Sequence, residues 1–365
     1  RYARKHVKLE LVDPYSPHAE RIWRELEATR PPGFFLTWGW VENWLACLPH
    51  ERAPRLALVC EDARPIAACF LGRQLKLRHR VLPTRAMFVN ATGVDRVDNL
   101  WIEYNGVVGR DLSIEAFVDL LPGGWDEVFL PGLSEDAFGG LTDAVHARYR
   151  VRVERRVPSY YVDLDKARAK GYLPLLSGQT RSQVRRSQRE AGEPAVEVAT
   201  DESHAIDIYS ELTALHGAQW REKGKPGAFA DPWFDRFHRR LIARRLEHGE
   251  IQLLRVRAGG ATIGCLYNFI CRDRVLQYQS GLATFENPHL KPGFIVHTAA
   301  IEHAAKAGLG VYDFLGGDMR YKKSLSTDCG WLVWARVQRR RLRFAIEERI
   351  VAAHRERRAR DPART

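Results

Sequence analysis

Short apolar-rich runs, separated by turns of glycine and charged residues, recur along this chain, which is the pattern of β-strands. In the second half, residues 250–256 and 261–270 form two such runs on either side of a glycine-containing turn, and a third run follows at 275–281. In the first half, residues 55–60 and 66–72 repeat the strand, turn and strand. The sequence therefore predicts two related β-hairpins.

Each hairpin is followed by a segment with helical spacing and then by a strand that begins near an acidic residue and ends in glycine. In the second half these are residues 292–306 and 310–317. In the first half they are residues 112–121 and 125–132. The repeated order of elements predicts an internal duplication.

Further segments with helical spacing open each half. They are residues 17–29 and 41–48 in the first half, and 205–222 and 232–248 in the second. Each half therefore contains helices, then a meander of strands, then a helix and a strand. This repeated order predicts an α/β fold of two tandem lobes with mixed sheets. The predicted domains are an N-terminal lobe at 1–160, a C-terminal lobe at 161–345 and a basic tail at 346–365.

The positive charge is concentrated in two places. The 365 residues carry 57 Lys and Arg against 45 Asp and Glu, a net charge of +12. Residues 336–364 hold eleven arginines and four acidic residues, and 180–190 holds four arginines and one glutamate. Because the rest of the chain is nearly neutral, the charge does not predict a DNA-binding protein. We expect residues 336–360 to form a basic helix that packs on the body and then frays.

The composition favours a globular protein, and the spacing of the cysteines favours one without a metal site. Hydrophobic residues make up 45% of the chain, which is enough for a core. No run of 18 apolar residues and no signal-peptide pattern occurs, so we expect no membrane span and a cytoplasmic location. The cysteines have no zinc-ligand spacing. Four of them, Cys60, Cys69, Cys265 and Cys271, lie in apolar runs and are expected to be small buried residues of strands.

Residues 316–322, Gly-Gly-Asp-Met-Arg-Tyr-Lys, follow the end of a predicted strand, where ligands gather in open α/β sheets. By their chemistry, Asp318 could act as a base or orient an amine, Tyr321 could donate a proton to a leaving group, and Lys322 could stabilise developing charge. A solvated loop with a Lys322–Asp318 ion pair remains the alternative.

Other candidate residues lie close by in the sequence. His297, one turn into the predicted helix, is either a base or a structural histidine. Asp313 could point into a cleft, because alternation along its strand puts it on one face with Leu315 and puts Tyr312 and Phe314 on the other. Lys291 and Gly293 flank a proline at the helix start, where backbone N–H groups favour an anion.

Polar residues elsewhere could serve the same cleft. Helical spacing puts Arg185 and Arg189 on one face, where they suit phosphates or form a solvated basic surface. In the first half, Glu103 and Asn105 could reach a cleft between the lobes, or could simply end a strand.

Several motifs in order resemble the CelD-like, cellulose-biosynthesis-type branch of the GNAT acyltransferase superfamily. They are Tyr-Asp-Phe-Leu-Gly-Gly-Asp with Tyr-Lys and Ser-Leu at 312–325, Lys-Pro-Gly-Phe at 291–294, and Tyr-Gln-Ser-Gly at 278–281. The resemblance covers most of residues 30–345 and is strongest at 212–334. The same region, with the arginine-rich segment at 181–189, is also similar to the Fem peptidyltransferases, which take aminoacyl groups from tRNA.

The resemblance implies a site for an acyl thioester. It implies that the strand with Tyr278 and Ser280 holds the donor's extended arm and that the next helix start holds its phosphates. It places Lys322 at the lysine of the Fem Phe-Lys motif, and it implies that residues after the first helix of the second lobe shape the acceptor pocket. Those acceptor candidates are Trp220, Arg221, Lys223 and Phe229. The usual GNAT phosphate loop, Gln/Arg-x-x-Gly-x-Gly/Ala, is replaced by Asn-Pro-His-Leu-Lys-Pro-Gly at 287–293.

The sequence therefore predicts an N-acyltransferase that moves an acyl group from a thioester, acyl-CoA first, to an amine of a small metabolite or glycan precursor. Direct attack needs no metal. Two alternatives remain open: an aminoacyl-tRNA-dependent transferase of the Fem kind, and a binding protein that kept the fold without catalysis.

Overall fold

A computed structural model describes residues 7–78, 81–100, 102–139, 148–347 and 349–350. Its strands are β1 (Val7–Val12), β2 (Arg55–Glu61), β3 (Arg64–Arg78), β4 (Leu82–Val89), β5 (Val108–Gly109), β6 (Glu127–Ser134), β7 (Tyr149–Asp163), β8 (Ala195–Val198), β9 (Ile251–Ala258), β10 (Ala261–Cys271), β11 (Arg274–Leu282), β12 (Val311–Gly316) and β13 (Asp328–Arg339). Its α-helices are Pro17–Thr29, Trp38–Cys47, Ile114–Leu120, Glu135–Gly139, Leu164–Lys170, Tyr172–Leu175, Gly178–Ala191, Glu202–Glu222, Pro232–Arg245, Pro292–Lys306 and Arg320–Leu325. This mixed α/β architecture confirms the predicted fold class.

One continuous sheet runs through the molecule in the order β1-β2-β3-β4-β6-β13-β7-β12-β11-β10-β9-β8, with β5 paired to β3. Its two halves repeat one arrangement. An antiparallel meander of four strands leads to a parallel pair, β4 with β6 in one half and β11 with β12 in the other. The predicted duplication is therefore present in the strand order.

The halves exchange their last strands at the centre of the sheet. β13, the final strand of the chain, pairs with β6 of the first half, and β7 pairs with β12 of the second. The two exchanged strands also pair with each other over twelve residue pairs. The predicted domain boundary at residue 160 falls inside β7, so the two halves share a sheet, and the division into separate domains stays a prediction.

Helices from both halves share one hydrophobic core. Phe34 of the first half stacks on Phe269 of β10 with ring centroids 4.3 Å apart. The Trp233 indole donates to the backbone oxygen of Cys47 over 2.8 Å, and the Asn43 amide donates to that of Phe237 over 3.1 Å. These contacts fix the position of one half against the other, which matters because the site described below draws on both.

The prediction for the C-terminal segment was wrong in part. Residues 336–339 complete β13 instead of beginning a helix, because Val337 is an inward-facing core residue of the sheet. Residues 342–347 and 349–350 are helical, and residues 351–360 of the predicted helix lie outside the described part of the chain. No helix among the described residues has the length and apolar character needed to cross a membrane. The cysteine prediction is confirmed: Cys60, Cys69 and Cys265 are buried and Cys271 is half-buried, and all are free thiols.

The close approach of helix Glu202–Glu222 to β11 depends on Gly281. A Cβ at this position would lie 2.3 Å from the backbone oxygen of Leu212, and neither backbone can yield without separating helix from sheet. We expect Gly281→Ala to lower the free energy of unfolding by about 1–3 kcal/mol, measured by urea denaturation. The control is Gly123→Ala, because a Cβ there meets nothing within 4 Å. Equal stability of the two variants would contradict this packing.

Candidate functional site

The candidate site is the gap where β11 and β12 separate. The two parallel strands pair only from Arg274 to Leu276 on β11, although β11 continues to Leu282. A bulge at Tyr278 bends β11 further away. The gap opens into a cavity of about 1420 Å³, which is bounded on other sides by the starts of helices Gly178–Ala191 and Pro292–Lys306. Beyond Leu276, β11 has no strand partner on this side among the described residues.

A buried lysine fixes the floor of the cavity. Leu315 has a left-handed backbone with φ of 59°, and the strand register shifts at the same point. This bulge turns three successive carbonyl groups inward, and Lys322 Nζ donates to the oxygens of Phe314, Leu315 and Gly316 over 2.7, 3.2 and 3.1 Å. An ammonium has three N–H groups, so all are in use. Burial lowers the pKa of Lys322, against the opposing effect of the carboxylates of Glu103 and Asp313.

The first half of the chain contributes an acidic side chain to this floor. Glu103 is 6% exposed, lines the cavity and accepts a hydrogen bond of 2.7 Å from the backbone N–H of Gly316. Burial raises the pKa of Glu103 to about 7, while the Gly316 bond and the charge of Lys322 oppose the rise. A carboxyl group that exchanges its proton near neutral pH in a cavity has the properties of a general acid or base.

Asp313 supports the floor from below. It is fully buried and accepts hydrogen bonds from Tyr104 Oη at 2.6 Å, Arg274 Nη1 at 2.8 Å, the Leu315 N–H at 2.8 Å and Ser159 Oγ at 3.3 Å. These donors come from both halves of the chain. The aspartate therefore holds the loop of Glu103 and the Leu315 bulge in one network.

His297 and Tyr321 form one wall of the cavity. Their rings stack with centroids 5.2 Å apart, and His297 Nδ1 lies 3.3 Å from Tyr312 Oη. Burial lowers the pKa of His297 to about 3, so its imidazole is neutral at pH 7. Such a group is a poor base, in keeping with the structural alternative for His297. Burial raises the pKa of Tyr321, which keeps its phenol protonated and able to donate.

Residues 178–323 match the family model described as acetyltransferase (GNAT) domain. This stretch, about two fifths of the chain, is similar to a GNAT acetyltransferase domain. It contains β11, β12 and the cavity wall that they form. The remaining part of the chain, including Glu103, lies outside the match. No curated protein matches the chain in sequence.

Solved structures similar to this chain extend the likeness to both halves. FemX shares 12% identity with a TM-score of 0.55, covering 86% of this chain and 95% of its own. L-PGS from Bacillus licheniformis shares 9% with a TM-score of 0.53, covering 95% and 99%. A conserved protein of unknown function from Bacteroides thetaiotaomicron shares 11% with a TM-score of 0.52, covering 91% and 100%. At these identities the likeness is one of fold.

The structure brings ten of the seventeen candidate residues to the cavity. They are Tyr321, Lys322, His297, Tyr278, Ser280, Lys291, Gly293, Trp220, Lys223 and Glu103. Among the described residues no cluster of side chains suits a metal ion.

The other seven candidates lie outside the cavity lining. Asp318 is exposed and accepts a bond of 3.3 Å from Tyr160, and the alternative ion pair with Lys322 is not formed. Asp313 lies beneath the floor. Tyr312 and Phe314 pack together in one core cluster, whereas Leu315 packs in the other with Tyr104, the partner of Asp313, so the predicted alternation is confirmed although the strand register shifts after Asp313. Asn105 is buried and donates to the Val89 oxygen over 3.0 Å.

The remaining four outlying candidates lie within residues 178–323, the stretch that matches the family model. Arg185 and Arg189 are exposed on helix Gly178–Ala191, whose cavity-lining side chains, including Gln179 and Gln183, lie on the opposite face. Arg221 is also exposed, and Phe229 packs edge-on against His216 at 5.0 Å.

Sequence reasoning missed the amide and arginine side chains of the lining. They are Asn99, Gln179, Gln183, Gln219, Gln277, Gln279, Arg155 and Arg320. Gln277 and Gln279 could have been found, because they flank Tyr278 in a strand already singled out. Arg155 could not, because no strand was predicted at Tyr149–Asp163.

Proposed function

We propose that this protein is an N-acyltransferase whose single active site is the β11–β12 cavity, with acyl-CoA as the first candidate donor. The observation that carries the proposal is that the free edge of β11 and the buried Glu103 carboxyl face the same cavity. The free strand edge is suited to bind an extended thioester arm, and the carboxyl group is suited to accept the proton of an attacking amine. The assignment to the CelD-like branch stays a prediction.

Residues at the cavity mouth support a phosphate-bearing donor. Helix Pro292–Lys306 begins with no side-chain cap, so the N–H of Gly293 is available to an anion and the helix dipole favours one. Lys291 is exposed beside it and lines the cavity. The free edge of β11 can pair with the amide groups of an extended arm, as a strand added to a sheet edge does. This arrangement compensates for the missing GNAT phosphate loop.

The proposed chemistry needs two proton transfers. The amine nitrogen attacks the thioester carbonyl carbon and passes its proton to the Glu103 carboxylate, and the carbon–sulfur bond then breaks. The Tyr321 phenol donates a proton to the departing thiolate. Glu103 then releases its proton to solvent and Tyr321 regains one from solvent, which restores both groups. Lys322 acts through Glu103, because its three N–H groups are already bonded to backbone oxygens. Its charge keeps part of the glutamate population ionised at neutral pH.

The acceptor side of the cavity suits a polar molecule. Trp220 is flanked by two lysines, with Lys223 Nζ 5.3 Å and Lys225 Nζ 5.9 Å from its ring centroid. Several amide side chains line the same cavity. Amides and an aromatic face bind hydroxyl groups and sugar rings, and the lysines suit an anionic substituent. A glycan precursor or another small polar amine fits this lining.

Calorimetric titration with acetyl-CoA tests the donor site. We expect Gly293→Asp to weaken binding at least ~10-fold, because its carboxylate occupies the helix terminus that would receive the pyrophosphate. The fold should be retained, since an acidic residue in the first turn stabilises a helix. The control is His18→Asp, which places the same acidic residue directly after the proline that starts helix Pro17–Thr29. If wild-type protein shows no heat of binding at high acetyl-CoA concentration, the CoA donor is wrong.

One observation favours the aminoacyl-tRNA alternative in that event. Arg185, Arg186 and Arg189 are exposed, and among the described residues they have no acidic partner within ion-pair distance. They lie on the helix whose first turns line the cavity. Retention of tRNA that weakens steeply with salt, and that falls when these arginines are replaced, would support this second candidate.

A further inference from the structure

Exposed aliphatic side chains are concentrated at one end of the molecule. Eleven large hydrophobic residues are exposed in the described part of the chain, and six lie in two short segments. The β3–β4 hairpin carries Leu75, Leu77 and Val81, and the C-terminal helical segment, residues 342–347 and 349–350, carries Leu342, Ile346 and Ile350. Leu75 and Leu77 alternate with Arg78 along β3 and lie on the face of the hairpin away from the helical segment. Single exposed apolar residues are ordinary, but six in two short segments are not.

The two segments are in contact with each other. Arg78 of the hairpin forms an ion pair of 2.8 Å with Glu347, and Arg343 donates to the Pro83 backbone oxygen over 2.9 Å. Phe344 is buried beneath them. The helical segment is therefore anchored through one side, and its Leu342, Ile346 and Ile350 stripe, spaced four residues apart, is left to solvent.

Basic residues accompany these aliphatic side chains. The hairpin sequence 73–85 contains five Arg and Lys and no acidic residue. Some of these charges are neutralised, as in the Lys76–Asp95 and Arg85–Asp126 pairs. Arg73 and Arg349 are exposed, and no ion pair joins either to another described residue. Residues 351–365 add five arginines and two acidic residues in sequence.

We propose that this end of the protein, formed by residues 73–78 and 81–85 of the hairpin and by the helical residues 342–347 and 349–350, docks on the surface of an anionic membrane. Aliphatic side chains bordered by arginines are what an interfacial segment inserts beneath the headgroups, where the arginines meet lipid phosphates. A nucleic-acid platform would instead need stacking aromatic rings, and all six exposed side chains are aliphatic.

The chain that follows is poorly suited to cover the stripe. Residues 351–365 contain Val351 as their only large aliphatic residue, so they offer little apolar surface for Leu342, Ile346 and Ile350. Their charge instead adds to the attraction for anionic lipid. The docking surface is separate from the residues of the proposed active site, and the two proposals fail independently.

Vesicle flotation tests the proposal on the full-length protein. We expect flotation with vesicles that contain phosphatidylglycerol, at least ~10-fold weaker flotation with phosphatidylcholine alone, and weakening by salt. Leu342→Gln combined with Ile346→Gln should abolish the binding and leave the urea midpoint unchanged, since both side chains are exposed. The control is Val7→Gln, an exposed aliphatic residue on edge strand β1, which should float like the wild type.

Three results would overturn the proposal. The first is flotation of the double variant at the wild-type level. The second is that neither vesicle floats the protein while a heparin column retains the wild type and the double variant equally. This result would indicate a surface that binds polyanions in general. The third is concentration-dependent dimerisation that the double variant abolishes without any vesicle binding, which would make a second copy of the chain the occupant.

Discussion

Replacement of Glu103 by glutamine should lower kcat/KM for acyl transfer by roughly 10²–10⁴-fold, the usual contribution of a general base. Glutamine keeps an oxygen that can accept the Gly316 N–H, so the loop should stay in place. What is lost is the ability to take a proton. The assay is release of free thiol from acetyl-CoA, with the amine chosen by screening amino sugars and amino acids.

The pH profile gives this experiment a second readout. Because the pKa of Glu103 is raised to about 7, its carboxylate form dominates only above that pH. The wild-type kcat/KM should therefore rise with pH up to about 7 and level off above it. In Glu103→Gln this limb should disappear, whereas a merely structural loss of activity would leave its midpoint unchanged.

Asp318→Asn is the matched control, because the sequence alone favours Asp318 as the base. Asp318 is exposed and lies outside the cavity, so this change should alter kcat/KM by less than about threefold. If Asp318→Asn is inactive and Glu103→Gln stays active, Asp318 is the base and Glu103 is not. If both variants are fully active, the binding-protein alternative gains support.

Local patterns were sufficient to predict most of the second half of the fold. Helix 292–306 was predicted with its observed bounds, Pro292–Lys306, because proline marks its start and apolar spacing is regular through it. Strands β9, β10 and β11 were found because two-residue turns separate clearly apolar-rich runs. These elements depend on neighbours in sequence, and the sequence shows such neighbours directly.

The centre of the sheet could not be predicted in the same way. The predicted domain boundary at residue 160 falls inside β7, where four arginines and a glutamate occupy residues 150–156 and break the apolar pattern. Its strand character depends on β12 and β13, which lie about 150 or more residues away in sequence. β13 likewise ends in residues that resemble the start of a basic helix. Exchange of strands between repeats is a long-range event that leaves no local signal.

The candidate site was predicted as a set of residues more accurately than as a set of roles. Motif chemistry pointed to Lys322 and Tyr321, and both line the cavity. The same reasoning offered Asp318 as a base or an amine-orienting group and Glu103 as a residue of the cleft between the lobes. In the structure Lys322 is bonded to the carbonyl groups of the Leu315 bulge, whereas Asp318 lies at the surface. Backbone geometry of this kind is not visible in a residue pattern.

The bulge also changes what loss of Lys322 would do. From sequence alone, Lys322→Ala should reduce turnover and leave stability unaffected. In the structure, its removal would leave three buried carbonyl oxygens without their donor and Glu103 without its nearby positive charge. Unsatisfied buried groups are costly, so lower stability should accompany the loss of turnover. This makes Lys322 a poor test of catalysis and Glu103 a better one.

The largest effect on stability is expected from Asp313→Ala. This substitution removes the acceptor for four donors at once and leaves the Arg274 guanidinium without its carboxylate. Removing one partner of a buried ion pair lowers the free energy of unfolding by about 3–5 kcal/mol. We expect the lower end of this range because the Arg274 side chain is 38% exposed. Urea denaturation should therefore show a decrease in unfolding free energy of about 3 kcal/mol with an unchanged slope.

Two further variants distinguish the effect of losing the ion pair from the effect of disturbing the structure of the cavity floor. Asp313→Asn keeps the shape and part of the hydrogen bonding, so its loss of stability should be smaller than that of Asp313→Ala. Asp318→Ala removes an exposed carboxylate with one bond of 3.3 Å and should stay within about 0.5 kcal/mol of the wild type. Because Asp313 holds both the Leu315 N–H and Tyr104, the residue after Glu103, activity should fall together with stability in the Asp313 series. An Asp313→Ala protein that unfolds at the wild-type urea concentration would show that the two halves of the site are held together by other contacts.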